Sequence, residues 1–360
     1  MKKLNIAVAG TGFGLSVHLP ALIDSEKFIV NSIYNHNKYK KKDLEIRTGI
    51  VCHSNWKKIV SNKNIDGIVI ATPPHVRFKL AKEALENNKH LLLEKPVALN
   101  SREIEELQRI ALMRNLSVCV NFEYRVVPLF LQTKKILEEN KLGKIYLIKL
   151  DWLMGSRSDP NREWNWYSEE KKGGGVLGAL GTHAFDMLHW FFGVSNKVSA
   201  NIFTSINGRP NLKNEILKVT SEDVCLSNIQ ISNHHNELIP CQVSLSSISR
   251  QGRGFSLEVY GSNGSLFLES KNQKDYIHGF TLRYINEKNK MININADEKF
   301  LFKKYWKDGR IAPVKRIQEL WAQSIIQKSP VIPGLNEGRM SQRVLDSVKE
   351  SAKSGFTVTI

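Results

Sequence analysis

Three glycines, Gly10, Gly12 and Gly14, directly follow the apolar run Leu4-Asn5-Ile6-Ala7-Val8-Ala9 and open a helical segment. A strand–glycine turn–helix of this kind can hold a pyrophosphate. The first glycine makes the tight turn, the second lets backbone approach the phosphates, and the helix N-terminus adds N–H donors and a positive dipole end. The pattern is G-x-G-x-G rather than G-x-G-x-x-G, with Leu15 in the sixth position, so its weight comes from its place after a first strand. Gly10, Thr11, Gly12, Phe13 and Gly14 are the first candidates for contact with a dinucleotide.

The end of the second strand reads Tyr34-Asn35-His36-Asn37-Lys38, with Lys40, Lys41 and Lys42 beyond it and no carboxylate before Asp43. NAD sites usually carry Asp or Glu here to bond the ribose 2′-hydroxyl. Two readings stand. Asn35, His36 and Lys38 accommodate the 2′-phosphate of NADP, or the lysines are the solvated face of the next helix. The expected cofactor is NADP or NAD.

Two further segments end presumed parallel strands, where an open α/β sheet binds its ligand. They are Ala71-Thr72-Pro73-Pro74-His75 and His90-Leu91-Leu92-Leu93-Glu94-Lys95-Pro96. Ala71, Thr72, Pro73, His75, Glu94 and Lys95 join the cofactor candidates. A lysine at the end of a buried strand, locked by a proline, suits chemistry better than surface charge, and the proline suggests a special peptide geometry, with cis among the options. Downstream, Gly173-Gly174-Gly175 leads into a helix that carries His183 and Asp186 one turn apart. Just before it, Arg157, Arg162, Trp164, Trp166 and Tyr167 occupy a polar, irregular stretch. Indole faces stack on sugar C–H faces, and arginine bonds hydroxyls or anions. The alternative is a tryptophan-anchored packing loop. If both arginines face the pocket, an acidic sugar or sugar nucleotide fits.

These residues need elements to position them. The N-terminal third alternates strands (4–9, 28–34, 66–71, 90–93, 117–120) with helices (about 16–25, 77–88, and one capped by Ser101), which predicts parallel βαβ units. From about Lys144 to Tyr284 strand candidates succeed one another, separated by turns such as Gly261-Ser262-Asn263-Gly264. That predicts a largely antiparallel open sheet covered by helices on one side. Arg339 to Ser354 reads as a closing helix. The expected fold is α/β: an N-terminal Rossmann doubly wound parallel sheet over 1–125, an α+β domain with a largely antiparallel open sheet over 126–338, and a closing helix and tail over 339–360.

The 360 residues carry 52 Lys and Arg against 35 Asp and Glu, a net charge of +17. The lysines fall in short scattered groups without a basic arm or zinc-finger spacing, which argues against nucleic acid as a partner. No apolar run approaches the roughly 18 residues of a membrane span. The 4 cysteines show no C-x-x-C pair and no signal peptide precedes them, so a cytoplasmic protein without metal is expected.

Together G-x-G-F-G, A-T-P-P, E-K-P, G-G-G-x-L…G-x-H-x-x-D and a C-terminal Arg-Val-Leu-Asp-Ser-Val helix resemble the Gfo/Idh/MocA oxidoreductase family, over essentially the whole chain. The resemblance implies hydride transfer between NAD(P) and a secondary alcohol or ketone of a sugar, polyol or sugar derivative. It also implies a homodimer or homotetramer formed through the C-terminal sheet. Lys95 matches the family's E-K-P lysine and His183 its second-domain histidine, so both are the catalytic candidates. Asn121, for the cofactor, and Glu123, Tyr124 and Arg125, for the substrate, match a segment that often lines the site. Arg162, Trp164, Trp166, His183 and Asp186 complete the substrate set. Two positions depart from the pattern. Ala179 stands where many relatives carry aspartate, and Arg77 where a histidine is frequent. Alternatives are a non-catalytic sensor of the same fold and a reductase of another unsaturated substrate, as in biliverdin reductases.

Overall fold

The computed structural model describes residues 3–273, 275–276 and 278–360. Contacts divide the chain into two units, 1–123 with 304–339 and 124–303 with 340–360. The division differs from the expected 126–338 segment, because residues 304–339 pack with the N-terminal unit.

In the first unit the strands are β1 Leu4–Ala9, β2 Phe28–Tyr34, β3 Val51–His53, β4 Gly67–Ile70, β5 His90–Leu93 and β6 Val118–Val120. They form one parallel sheet in the order β3-β2-β1-β4-β5-β6. The order reverses direction at β1, which makes a doubly wound sheet with its switch point beside β1 and β4. Ile6 to Ala9, Gly67 to Ile70 and Leu91 to Leu93 are buried as continuous runs, as central parallel strands covered on both faces must be.

The helices of this unit are α1 Leu19–Ile23, α2 Lys41–Thr48, α3 Trp56–Val60, α4 Pro74–Glu86 and α5 Ser101–Met113. Helix α4 begins earlier than position 77 because Pro74 takes the first helical position, where its missing N–H costs nothing. Ser101 is not the cap of α5. Asn100, in extended backbone, accepts the Glu103 N–H at 3.0 Å. The sequence-distant helix Ile311–Gln327 completes the unit. Its Trp321 is fully buried and stacks on Phe28 at 6.0 Å, and a Cβ at Gly67 would lie 2.8 Å from the indole.

The second unit contains helices α6 Pro128–Glu138 and α7 Thr182–Phe192. Its strands are β7 Ile145–Leu153, β8 Val194–Phe203, β9 Gly208–Pro210, β10 Ile216–Lys218, β11 Val224–Ser232, β12 Leu238–Ser246, β13 Gly254–Gly261, β14 Gly264–Ser270, β15 Phe280–Asn286, β16 Met291–Ile294 and β17 Val358–Thr359. Nine strands form one sheet in the order β16-β15-β14-β13-β7-β12-β11-β8-β17, antiparallel except for β7 with β12. Alternation shows one covered face: along β11, Cys225, Ser227, Ile229 and Ile231 are buried while Leu226 is 47% exposed. Phe130, Ile136, Ala184, Phe185, Leu188 and Val344 fill that face. The closing helix begins at Leu335, four residues before the expected start.

Candidate active site

The sheet of the first unit brings the N-terminal candidates to one edge. Gly10 follows β1, Asn35 follows β2, Ala71 follows β4, Glu94 and Lys95 follow β5, and Asn121 follows β6, all at carboxyl ends. The three glycines have three different surroundings. Gly10 has φ +112°, and a Cβ there would sit 2.5 Å from the Ala71 carbonyl oxygen. Gly14 packs its Cα side against Val8 and Ala71, with 3.3 Å and 3.4 Å available for a Cβ. Gly12 has nothing within 4 Å. Turn, close helix–strand packing and an uncovered backbone are the three functions a dinucleotide turn requires. Packing falls on Gly14, one residue early, and the helix opens there as a π turn over Gly14–His18. The residues fit a pyrophosphate at Gly12.

Beside this turn, Asn35 donates from Nδ2 to Thr11 Oγ1 at 3.1 Å and accepts the Asn37 N–H at 2.9 Å. His36 and Lys38 are exposed, as are Lys40, Lys41 and Lys42. Thr72 is buried, Pro73 and His75 are half-buried, and Phe13 packs edge-on to His18 at 5.4 Å.

Under β5 lies a buried polar network that sequence spacing does not reveal. Glu94 Oε1 takes hydrogen bonds from His18 Nε2 at 2.8 Å and Asn121 Nδ2 at 2.7 Å. Gln318 Nε2 bonds the His18 carbonyl at 3.1 Å and His18 Nδ1 at 3.2 Å. A carbonyl only accepts, so that amide nitrogen is the donor, Nδ1 accepts, and Nε2 carries the proton toward Glu94. Arg77 is fully enclosed and clamps three carbonyls at the ends of β4 and β5, those of Thr72, Glu94 (2.6 Å) and Pro96. The Lys95–Pro96 peptide is cis.

Charges shift accordingly. Burial would raise the Glu94 carboxyl, but the His18 hydrogen bond and the Lys95 and Arg77 charges hold it below its ordinary value. Burial and the Glu94 charge push Glu123 up to about 8, against Lys95. Burial pushes the Lys95 ammonium down, while Glu123 and Glu94 oppose the fall. Lys95 is half-buried.

In the second unit, Tyr124, Arg125, His183 and Asp186 come together around the start of α7. The glycine run is there for close approach: a Cβ on Gly174 would lie 2.1 Å from the Tyr167 carbonyl oxygen, and on Gly175 2.2 Å from Glu222 Oε1. Glu222 in turn accepts the Leu177 N–H at 2.9 Å. His183 packs edge-on to Tyr124 at 4.9 Å and lies 6.2 Å from Trp152. Arg125 and Asp186 form a buried two-bond pair at 2.8 and 2.7 Å, with the guanidinium 5.7 Å from the Trp190 ring. Arg162, Trp164 and Trp166 lie instead on the loop after β7. Arg162 is exposed and both tryptophans are half-buried, Trp164 donating to the Lys218 carbonyl at 3.1 Å.

Sequence reasoning missed His18 and Gln318, because their partners lie 76 and 300 residues away. It treated Arg77 only as a departure, whereas its full burial among carbonyls makes it the clamp of the strand ends. Among the described residues no group of three metal-ligating side chains converges, and no helix is long and apolar enough to cross a membrane.

Comparison with known proteins shows the family and the fold. Residues 4–122 match the oxidoreductase family's NAD-binding Rossmann fold, and residues 134–360 its C-terminal alpha/beta domain. An uncharacterized oxidoreductase of Synechocystis is 39% identical over 361 residues, covering 99% of this chain and 96% of that protein. Glucose-6-phosphate 3-dehydrogenase of Bacillus subtilis is 24% identical over 363 residues, covering 100% and 99%. A structure of levoglucosan dehydrogenase with NADH and L-sorbose shares the fold at a TM-score of 0.86 and 22% identity, covering 100% and 99%. The chain belongs to the Gfo/Idh/MocA family of oxidoreductases, with an NAD-binding Rossmann fold and the family's C-terminal domain.

Proposed function

We propose that the protein transfers a hydride between NAD(P) and a secondary alcohol, or the matching ketone, of a sugar, polyol or sugar derivative. The observation that carries this reading is Lys95, a half-buried lysine at the carboxyl end of a central parallel strand, with its ammonium pushed down by burial. When bound, nicotinamide supplies or takes the hydride. The accompanying hydroxyl proton needs a group of its own. Lys95 Nζ takes that proton in oxidation and returns it in reduction. The His18–Glu94–Asn121 network and the Arg77 clamp hold the strand end that presents it.

In this proposal His183 is the second catalytic candidate, without a carboxylate at Ala179 to orient it. Tyr124 and the Arg125–Asp186 pair fix the helix that bears it. Gly10 to Gly14, Asn35, His36, Lys38, Ala71, Thr72, Pro73, His75, Glu94 and Asn121 surround the cofactor, and the neutral Asn35 tolerates a 2′-phosphate. Glu123, Arg162, Trp164 and Trp166 are proposed on the substrate side. The sugar-type substrate is supported by the names of two relatives, glucose-6-phosphate 3-dehydrogenase and levoglucosan dehydrogenase. A homodimer or homotetramer through the open sheet face, where Leu226 and Leu238 are exposed, belongs to the same proposal.

The test is absorbance of reduced nicotinamide with NAD+ or NADP+ across a panel of sugars, sugar phosphates and polyols, and in reverse with ketoses. Turnover of at least one member is expected. Cofactor binding without turnover of any member would favour the sensor reading instead.

A further inference from the structure

Four arginines meet at the loop after β7, and among the described residues none of them is hydrogen-bonded to a carboxylate. Arg209, 4% exposed, donates from Nη1 to the Asp159 carbonyl and from Nη2 to the Arg157 carbonyl, both at 2.7 Å. Arg162 donates to the Ser156 carbonyl at 2.6 Å, and Arg250 reaches the Ser158 carbonyl at 3.4 Å. Arg157 itself stacks 3.3 Å from the Tyr167 ring centre, with its buried Nη1 lacking a hydrogen-bond partner among the described residues. The nearby carboxylates hold backbone N–H groups while keeping their charge. Asp223 accepts the backbone N–H groups of Ser205 and Ile206, Asp159 that of Asn161, and Glu222 that of Leu177.

Arg162 and Arg209 act as like charges on Arg157, and the burial of Arg209 makes such repulsion costlier. Burial, opposed by Tyr167 and reinforced by Arg162 and Arg209, pushes the Arg157 guanidinium down to about 10. Every hydrogen bond that Arg162, Arg209 and Arg250 make to this loop goes to a neutral carbonyl, and the Asp223 and Asp159 charges offset part of the charge on Arg209 alone. Guanidinium forks match the acceptor geometry of phosphate, and several converging forks suit a group with three acceptor oxygens and up to two charges.

We propose that this cluster binds a phosphate group. The exposed Arg162 and Arg250 make the contacts, while the half-buried Arg157 and the buried Arg209 supply a fixed positive field. Trp164 and Trp166 on the same loop offer flat faces for a sugar ring that carries the phosphate. That the phosphate belongs to the substrate rests on the oxidoreductase reading; that the cluster binds phosphate does not.

The test is calorimetric titration of the full chain with inorganic phosphate, against chloride at matched ionic strength. Saturable binding of phosphate alone is expected, weakened tenfold or more in Arg162→Gln/Arg250→Gln. Both side chains are exposed, and unchanged circular dichroism verifies the fold of the variant. Phosphate indistinguishable from chloride, or a double variant that binds like the parent, would overturn the proposal. A hexose monophosphate that binds tenfold tighter than free phosphate assigns the charge to a substrate, and equal binding assigns it to the free ion. Absence of turnover would count against the oxidoreductase reading and leave the phosphate titration standing.

Discussion

A single methyl group added at Gly10 or at Gly12 separates a structural glycine from a binding one. At Gly10 the backbone has φ +112°, and the new Cβ meets the Ala71 carbonyl at 2.5 Å from oxygen and 2.6 Å from carbon. Those atoms are main chain at the end of β4 and cannot swing away. The unfavourable φ costs about 1–3 kcal/mol, and overpacking typically adds about 1–3 kcal/mol. Gly10→Ala therefore loses roughly 2–6 kcal/mol, a large fraction of a typical stability of about 5–15 kcal/mol. At Gly12 the same methyl meets no atom within 4 Å. Gly12→Ala should melt within about 0.5 kcal/mol of the parent. It should nevertheless bind nicotinamide dinucleotide at least tenfold more weakly, a loss of about 1.4 kcal/mol, because the methyl stands where the pyrophosphate approaches. Thermal denaturation paired with fluorescence titration of NADH reads both quantities. A Gly12→Ala protein with parental affinity, or one that unfolds as Gly10→Ala does, would refute the division of roles.

Asn35→Asp should shift preference toward NAD(H), and the parent should bind NADP(H) at least as well as NAD(H) in the same titration; a tenfold parental preference for NAD(H) would contradict this. Arg125→Met should cost about 3–5 kcal/mol in denaturant unfolding, since it leaves Asp186 buried and unpaired. Adding Asp186→Leu should recover much of that loss, giving a large coupling energy in the double-mutant cycle. Glu123, with its folded pKa raised to about 8 from an ordinary 4.5, binds a proton in the folded state that the unfolded chain has lost. Its contribution is full below pH 4.5 and lost as pH rises to about 8. Glu123→Gln should flatten stability against pH across that window.

What the sequence made legible follows from range. The glycine turn, the E-K-P strand end and the His183 helix are local, with chemistry and element in one short segment. Strand β3 escaped because Val51–His53 is only three residues, with Val51 53% exposed. The helix Ile311–Gln327 carries a clear apolar stripe in Ile311, Val314, Ile317 and Trp321, but nothing local says that it packs with residues some 250–300 positions earlier. Its Gln318 orients His18, which orients Glu94 beside Lys95, and no spacing rule links those four residues. Asn100 rather than Ser101 caps α5 because the cap must precede the first helical residue in extended backbone. Arg125 and Asp186 are substrate candidates in sequence, with nothing there to link one to the other. Their mutual two-bond contact is a tertiary fact.

Steady-state kinetics of Lys95→Ala and His183→Ala with a turned-over substrate decide whether Lys95 carries the proton. A general acid–base group contributes about 10²–10⁴-fold in rate. Lys95→Ala should lose that much in kcat with cofactor Kd nearly unchanged. His183→Ala should lose less, since no carboxylate at position 179 charges or orients the imidazole. A Lys95→Ala enzyme within a few fold of the parent would contradict that role.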